Sequence, residues 1–380
     1  MWDNIIGQKR VITILKNIYK SGKVAQGYLF FGKEGIGKDA VAIEFAKMIN
    51  CDNLDRENLE ACDNCRSCKS IRKLSSTHFS FITALPPGKR ETGEDTHPFS
   101  TLKDEDAKCY LAELEKKSLD PYYKINMPNA NNIRIDSIRQ IKREIYLTAQ
   151  SNKKKVFLIS DADKMTLESA NSLLKILEEP PGNSLIILTT SRPNSLPPTI
   201  VGRCQKIQFD DISENDIEIY LKNKFPNINT EIVKVYAQIA DGSIYKCTNI
   251  VESDFLETRE MAIDYLVALV QRRYLRIGEI IEDISSRKEK IKQFLLILLY
   301  WFRDSMILEN GYNERIINID KLERLRNFVK KFDVKYFAAT KAIEDMIYDV
   351  ESYINGELLL YTLTTRLTDQ IRIKSSGPST

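Results

Sequence analysis

The first half of the chain alternates continuous apolar runs with amphipathic segments. Apolar runs of strand length occupy residues 28–31, 155–159 and 185–189, and helical patterns at 41–49 and 167–178 lie between them. Such runs, when helices separate them, are typical of buried strands in a parallel sheet covered on both faces. The pattern therefore predicts an α/β fold for residues 1 to about 210.

The second half carries helical patterns without strong strand signals. Residues 213–251 predict short helices separated by turns at 224–226 and 241–243. From about residue 255, apolar residues recur at three- and four-residue spacing, which predicts a helical bundle. The apolar run at 294–302 is about half of the roughly 20 residues that cross a bilayer, so it predicts the core of this bundle or a surface that packs on a partner.

Residues 84–131 interrupt the alternation of strands and helices. They contain turn-forming residues at 86–88 and 128–131, with many charges between them. Such a composition is typical of a long loop without regular structure. We therefore predict a mobile polar insert here, and a disordered tail at 375–380.

Length, charge and the N-terminus change this picture only slightly. A chain of 380 residues is too long for one compact core and predicts two or three domains. A net charge of +3 gives no global positive field that indicates nucleic acid. The first residues lack the basic-then-apolar run of a signal peptide, so we expect a cytoplasmic protein that does not associate with membranes.

The glycine-rich segment at 32–39 reads Gly-Lys-Glu-Gly-Ile-Gly-Lys-Asp and lies between a predicted strand and a predicted helix. This is the setting of a P-loop, in which backbone N–H groups around Gly32, Gly35 and Gly37 hold phosphates and Lys38 reaches the terminal ones. The next position should be Ser or Thr, whose hydroxyl binds Mg²⁺, but it is Asp39. A carboxylate there repels phosphates, so binding of ATP with magnesium is weakened without being excluded.

A second magnesium position follows the apolar run at 155–159. Active P-loop ATPases end this strand in Asp-Glu, where Asp orients magnesium and Glu polarises the attacking water. This chain has Ser160 and Asp161 instead, followed by Ala162. The Asp-Glu pair can be aligned with Ser160 and Asp161 or with Asp161 and Ala162, and in both alignments one of the two acids is missing. Two defects at two magnesium positions argue against hydrolysis.

Four of the seven cysteines are clustered, and their spacing is Cys51-x10-Cys62-x2-Cys65-x2-Cys68. Thiolates at such short gaps are typical of a tetrahedral structural zinc site. Four sulfurs leave no open coordination position, so we predict a structural rather than a catalytic metal. Free buried cysteines are the alternative.

These features resemble the clamp-loader subunits of bacterial DNA polymerase III, which belong to the AAA+ class. The resemblance rests on the cysteine cluster behind the P-loop and on segments 6–8, 170–181, 189–191, 196–204 and 240–243. It implies an α/β AAA+ P-loop domain with a parallel sheet at 1–210, which contains a four-cysteine zinc module at 51–68 and the polar insert at 84–131. A small helical lid at 211–252 and an all-α collar for oligomerisation at 253–374 complete the predicted organisation.

The family has two similar branches, the gamma/tau motor ATPases and the delta-prime stators, which do not hydrolyse ATP. The motors carry Ser or Thr, an Asp-Glu pair and a sensor-2 Arg. Here those positions hold Asp39, Ser160 with Asp161, and Tyr245. The resemblance therefore favours the stator branch. Thr190 falls at the sensor-1 position of the degenerate nucleotide site.

The resemblance also implies a role for Arg203, which matches the arginine of the family's Ser-Arg-Cys motif. In a stator this arginine reaches the ATP site of the neighbouring motor subunit and stabilises charge on the transferred phosphoryl group. The chain has Gly202 where the family has Ser, which predicts a more flexible loop. A local ion pair of Arg203 with a carboxylate is the alternative.

Our hypothesis is a clamp-loader stator that assembles with gamma/tau and delta subunits in a hetero-oligomeric ring. Through that ring it would help to load the sliding clamp on primer-template DNA. An active motor ATPase of gamma/tau type is one alternative, and a zinc scaffold that binds nucleotide without turnover is another. The state of positions 39, 160 and 245 discriminates among them.

Overall fold

The computed structural model describes residues 1–88, 98–146, 153–179, 182–312, 316–351 and 355–374. The chain divides into two compact units, which are Met1–Tyr220 with Asp241–Lys246, and Leu221–Ala240 with Cys247–Thr380. The predicted lid at 211–252 is shared between these units, so the three-domain division stays a prediction. None of the described helices has the length and apolar character that crossing a bilayer requires.

A five-stranded parallel sheet forms the centre of the first unit, in the order β2-β3-β4-β1-β5. The parallel α/β sheet predicted from the sequence is therefore confirmed. The edge strands β2 and β5 were not predicted because they are short and partly polar. The strands are β1 (Gly27–Phe31), β2 (Phe79–Ile82), β3 (Lys155–Ile159), β4 (Ser184–Thr190) and β5 (Gln205–Gln208).

Helices cover both faces of this sheet. The helices of the first unit are α1 (Lys9–Lys20), α2 (Lys38–Asn50), α3 (Arg66–Arg72), α4 (Asp104–Leu119), α5 (Ile135–Tyr146), α6 (Leu167–Glu178), α7 (Pro198–Arg203) and α8 (Glu214–Lys224), whose end lies in the second unit. Leu29 packs with α5, α6 and α7 on one face, whereas the neighbouring Tyr28 meets Phe45 of α2 on the other. Each fully buried side chain of this size contributes about 1.5–3 kcal/mol.

The insert at 84–131 is not the structureless loop that its composition predicts. It contains α4 and a small apolar cluster of Leu85, Leu102 and Met127, against which Phe99 and Tyr110 pack. Helix α4 forms because apolar residues at 107, 110, 111 and 114 have helical spacing. The many charged residues around them make this spacing difficult to recognise in the sequence. Residues 89–97 of the insert, like the tail at 375–380, lie outside the described part of the chain.

The second unit is mainly helical, but it is not all-α as predicted. Two three-residue strands, Phe332–Val334 and Ile371–Ile373, pair in antiparallel fashion within it. The apolar run at 294–302 lies in one long helix, and Phe294, Leu298 and Trp301 are buried in the core of the unit. The elements are α9 (Thr230–Ala240), α10 (Ile244–Glu252, which begins in the first unit), α11 (Phe255–Val270), α12 (Tyr274–Ser285), α13 (Lys288–Glu309), α14 (Leu322–Lys331), β6 (Phe332–Val334), α15 (Tyr336–Glu351), α16 (Gly356–Thr368) and β7 (Ile371–Ile373).

A buried polar network crosses the interior of the second unit. The guanidinium of Arg259 donates two hydrogen bonds to the carboxylate of Asp320, at 3.1 and 2.5 Å, and a third to Asn318 Oδ1 at 3.0 Å. Asn318 in turn donates to Asp304 from its backbone and its side chain, at 2.8 and 2.7 Å. Burial raises the pKa of Asp304, although these bonds from Asn318 oppose the effect. The network joins α11, α13 and the turn before α14.

Candidate functional site: a degenerate P-loop, an arginine and a four-cysteine cluster

The carboxyl ends of β1, β3 and β4 meet at one edge of the sheet because the strands are parallel. The P-loop follows β1, and α2 begins at Lys38 with Gly37 as its N-cap in the left-handed region, at φ 92°. Gly35 is also left-handed, at φ 75°, and a Cβ there would lie 2.2 Å from Ser243 Oγ. The glycine positions predicted from the sequence thus have the conformation and the crowding that require glycine.

Asp39 is the centre of this site. Its Oδ1 accepts a hydrogen bond from Thr189 Oγ1 at 2.7 Å, and its Oδ2 accepts from Ser160 Oγ at 2.7 Å and from Lys117 Nζ at 3.2 Å. Burial favours the neutral acid, but Lys117 and the two hydroxyls prevail and hold the pKa of Asp39 below its usual range. The two defective magnesium positions, 39 and 160, therefore bond to each other.

Lys38 does not extend across the loop. Its Nζ donates to the backbone oxygens of Gly32, at 2.9 Å, and of Lys33, at 2.5 Å. Burial lowers the pKa of Lys38, since few water molecules reach the ammonium group. The lysine that holds phosphates in a P-loop instead bonds to carbonyls of its own loop.

Asp161, the second acid position, forms an ion pair with Lys124 at 3.0 Å and with Lys164 at 3.1 Å. Lys124 also bonds to Glu34 of the P-loop. Burial lowers the pKa of Lys124, but Asp161 and Glu34 outweigh it, so the pKa is raised overall. Asp161 is therefore paired with two lysines, one from the insert and one from the turn after β3.

Thr190 lies apart from this cluster. Its Oγ1 donates to Asp163 Oδ1 at 2.6 Å and accepts from the backbone N–H of Arg192 at 2.9 Å. Side chains alternate along a strand, and Thr189 rather than Thr190 reaches the P-loop side. Thr189 rather than Thr190 is thus in contact with Asp39, and the sensor-1 assignment of Thr190 stays a prediction.

Little space remains at the P-loop. The cavity there has a volume of about 50 Å³ and is bounded by Gly35, Gly37, Lys38, Asp39, Tyr122 and Tyr245, among others. Pockets for small molecules usually have roughly 300–1,000 Å³. Tyr122, Lys117 and Lys124, which fill much of the site, come from the insert and were not predicted as site residues. No motif in the sequence relates them to residues 32–39.

Arg203 ends α7 at the surface of the first unit. Its Nη2 donates to Glu178 Oε1 at 2.8 Å and its Nη1 donates to the Thr199 oxygen at 3.2 Å, while 38 % of the side chain is exposed. The local carboxylate pair considered from the sequence is therefore present. An exposed pair of this kind contributes only about 0–1 kcal/mol, so a stronger anion can displace Glu178. Gly202 lies within α7, and nothing is within 4 Å of the position of a Cβ.

The four clustered cysteines converge after α2. The sulfurs of Cys51, Cys62, Cys65 and Cys68 all lie within 4.8 Å of one another. Backbone N–H groups within the loop donate to three of them, at 3.2–3.3 Å. Such a cluster can hold a metal ion, and a set of four sulfurs suits tetrahedral zinc.

The fold and the site define a P-loop α/β protein in which a partly buried carboxylate, that of Asp39, directly follows the lysine of the loop. Residues 7–213 match the sequence profile described as DNA polymerase III, delta subunit, and residues 253–369 match the profile of its C-terminal part. The first match covers more than half of the 380 residues, so the chain belongs to the DNA polymerase III delta subunit family. The resemblance stated from the sequence is thus confirmed for the family.

Individual relatives have related names. DNA polymerase III subunit delta' of Bacillus subtilis is 25 % identical over 323 residues, which are 84 % of this chain and 83 % of that protein. DNA polymerase III subunit gamma of Buchnera aphidicola (Schizaphis graminum) is 28 % identical over 253 residues, or 65 % of this chain. The match covers only 56 % of that gamma subunit's length. A DNA polymerase III gamma subunit-related protein of Thermotoga maritima has a solved structure with a TM-score of 0.41 and 16 % identity, and the match covers 95 % of this chain and 99 % of that one.

Proposed function

We propose that the chain is a stator subunit of the bacterial DNA polymerase III clamp loader, of the delta-prime type. It would assemble with gamma/tau and delta subunits through its helical C-terminal part as a collar, with an AAA+ domain and lid before it. In that ring it would help to load the sliding clamp on primer-template DNA. The family match supports the assembly, and the carboxylate of Asp39 in the magnesium position supports the role.

The chemistry of the first unit agrees with a subunit that does not hydrolyse ATP. A water molecule must be activated and a magnesium ion must be held for hydrolysis. Asp161, which is in the place of the general base, is paired with Lys124 and Lys164, and Asp39 is bonded to Ser160. Arg203 and its partner Glu178 are both exposed, so the guanidinium group is available to an ATP site on another subunit.

The four cysteines would hold one structural zinc ion, which completes the loop between α2 and α3. They are Cys51, Cys62, Cys65 and Cys68. When bound, the ion would cross-link the end of α2 to the beginning of α3. It has no part in phosphoryl transfer, because four sulfurs leave no open position for a substrate.

The first test uses the purified chain alone. We expect no magnesium-dependent ATP hydrolysis above the buffer rate, measured by phosphate release, because neither magnesium position has its usual ligand. The Lys38→Ala variant should be indistinguishable from the parent chain. Turnover that Lys38→Ala abolishes would contradict the stator function and favour a gamma/tau-type motor.

The second test addresses Arg203 in the reconstituted ring. Arg203→Ala should lower the rate of hydrolysis by about a hundredfold or more at the one ATP site that the arginine reaches. The total ATPase activity of the ring should therefore fall by the fraction that this site contributes. Arg139→Ala is the matched control, because Arg139 is 44 % exposed and also pairs with a carboxylate, Asp136. Size-exclusion chromatography should show intact rings for both variants. Equal ATPase rates in the two rings would exclude the proposed role of Arg203.

A further inference from the structure

Helix α4 and the turn that follows it place three side chains against the P-loop. We refer to residues 117–124, which are part of the insert, as the plug segment. Lys117 contacts Asp39, Tyr122 contacts Gly37, and Lys124 contacts both Glu34 and Asp161. All these contacts lie within the first unit, and they are independent of the role proposed for Arg203.

The ammonium group of Lys117 is fully hydrogen-bonded. Its ammonium group donates to Asp39 Oδ2 at 3.2 Å, to the Pro121 oxygen at 2.9 Å and to the Tyr123 oxygen at 2.7 Å. An ammonium group has three N–H donors, so each donor has an acceptor. The side chain is only 3 % exposed. A buried charge is retained at such a position only when its partners are in place.

Tyr122 occupies the space directly above the loop. A Cβ on Gly37 would lie 2.7 Å from Tyr122 Cε1, so the ring leaves no space for any larger residue there. The hydroxyl of Tyr122 accepts a hydrogen bond from the Ile6 N–H at 2.7 Å, and burial raises its pKa. The aromatic ring is therefore fixed at both ends, between the P-loop and the residues before α1.

The charges of the site are already balanced. Among the described residues that line the cavity, Lys38, Lys117 and Lys124 are cationic, and three others, Glu34, Asp39 and Asp161, are anionic. A P-loop that binds a triphosphate needs an excess of positive charge and free N–H donors facing the ligand. This site offers neither an excess charge nor the volume for a nucleotide.

We propose that the plug segment is the internal ligand of this P-loop, in which the ammonium group of Lys117 stands opposite Asp39 in place of magnesium and Tyr122 fills the phosphate space. The site therefore takes part of its own chain and excludes nucleotides. In a P-loop that binds its usual ligands, a nucleotide and a metal ion stabilise the loop. Here the insert does so permanently, without cofactor.

The direct experiment titrates the full chain with ATP and with a fluorescent ATP analogue, each with and without magnesium. We expect no saturable binding of nucleotide up to 1 mM and no rise in Tm. This concentration is on the order of a thousand times a micromolar Kd, so it would saturate a site of that affinity. Amide hydrogen exchange of residues 117–124 should be slow and unchanged by ATP. Saturable binding, or fast exchange in the plug segment, would overturn the proposal.

A double-mutant cycle tests the pairing of Lys117 with Asp39. Lys117→Met and Asp39→Asn should each weaken the protection of α2 against amide hydrogen exchange by roughly 100- to 1,000-fold, since each leaves a charge of the site without its partner. The combined variant should lose clearly less than the sum of the two, and it should fold even if Lys117→Met alone does not. Lys116→Met is the matched control, because Lys116 is the preceding residue and its side chain is 57 % exposed. Additive losses in the cycle would overturn the proposal.

Discussion

Removal of metal from the four-cysteine cluster is expected to unfold the segment between α2 and α3. Zinc binding in small Cys-rich modules supplies about 10–16 kcal/mol that is linked to folding, so hydrogen bonds of this loop such as that of Asp63 with Lys47 are not expected to hold it without the metal. Trp2 is a built-in reporter, because its Nε1 donates to the Leu59 oxygen within this loop at 3.0 Å. We expect the emission of Trp2 to shift to the red when a strong chelator is added.

The only other tryptophan of the chain, Trp301, lies in the second unit, so Trp301→Phe isolates the signal of Trp2. The chain as purified should contain one equivalent of zinc by elemental analysis, and Cys62→Ser should lose it. Cys109→Ser is the control, because Cys109 lies outside the cluster. A parent chain that contains no zinc and keeps its Trp2 emission in chelator would refute a structural metal.

The Arg259→Met variant is expected to destabilise the second unit by about 3–5 kcal/mol. The substitution leaves the buried carboxylate of Asp320 without its bidentate partner, and an unpaired buried charge carries that cost. The chain has two units, so a single unfolding transition does not report this loss. Amide exchange in α11 measures the free energy of opening locally.

Arg324→Met is the control for this effect. Arg324 pairs with Glu260 at 2.8 Å, but both side chains are exposed, so the loss should stay below about 1 kcal/mol. Arg259→Met combined with Asp320→Leu should recover part of the stability, because the charge is removed with its partner. A change of less than about 1 kcal/mol in Arg259→Met would contradict the stabilising role of the network.

The interior of the sheet was predictable from the sequence, whereas its edges were not. Strands β1, β3 and β4 are buried on both faces and therefore appear as continuous apolar runs. Strand β5 reads Gln-Lys-Ile-Gln, with only Ile207 buried, which is too weak a pattern to distinguish from a loop. Helix α4 was not predicted for a related reason, since a single apolar stripe among many charged residues resembles a solvated segment.

The candidate site was predicted in those parts that follow a fixed spacing. The glycines, Lys38 and Asp39 lie in one motif, and the four cysteines in another, so local sequence identifies them. Lys117 is 78 residues from Asp39, and no spacing relates two such positions before the fold is known. The contact of Thr189 with Asp39 was not predicted for another reason, since which face of β4 meets the P-loop depends on the packing of α2.

The ammonium group of Lys117 has a consequence for how this chain can change over evolutionary time. Restoring threonine at position 39 alone would not recreate a magnesium site, because it would leave a buried cation facing a hydroxyl group. Removing Lys117 alone would leave Asp39 with an unbalanced charge in the same place. Each of the two substitutions is therefore expected to be unfavourable without the other. If the proposed function is right, single substitutions at position 39 or 117 are therefore expected not to produce a hydrolysing site.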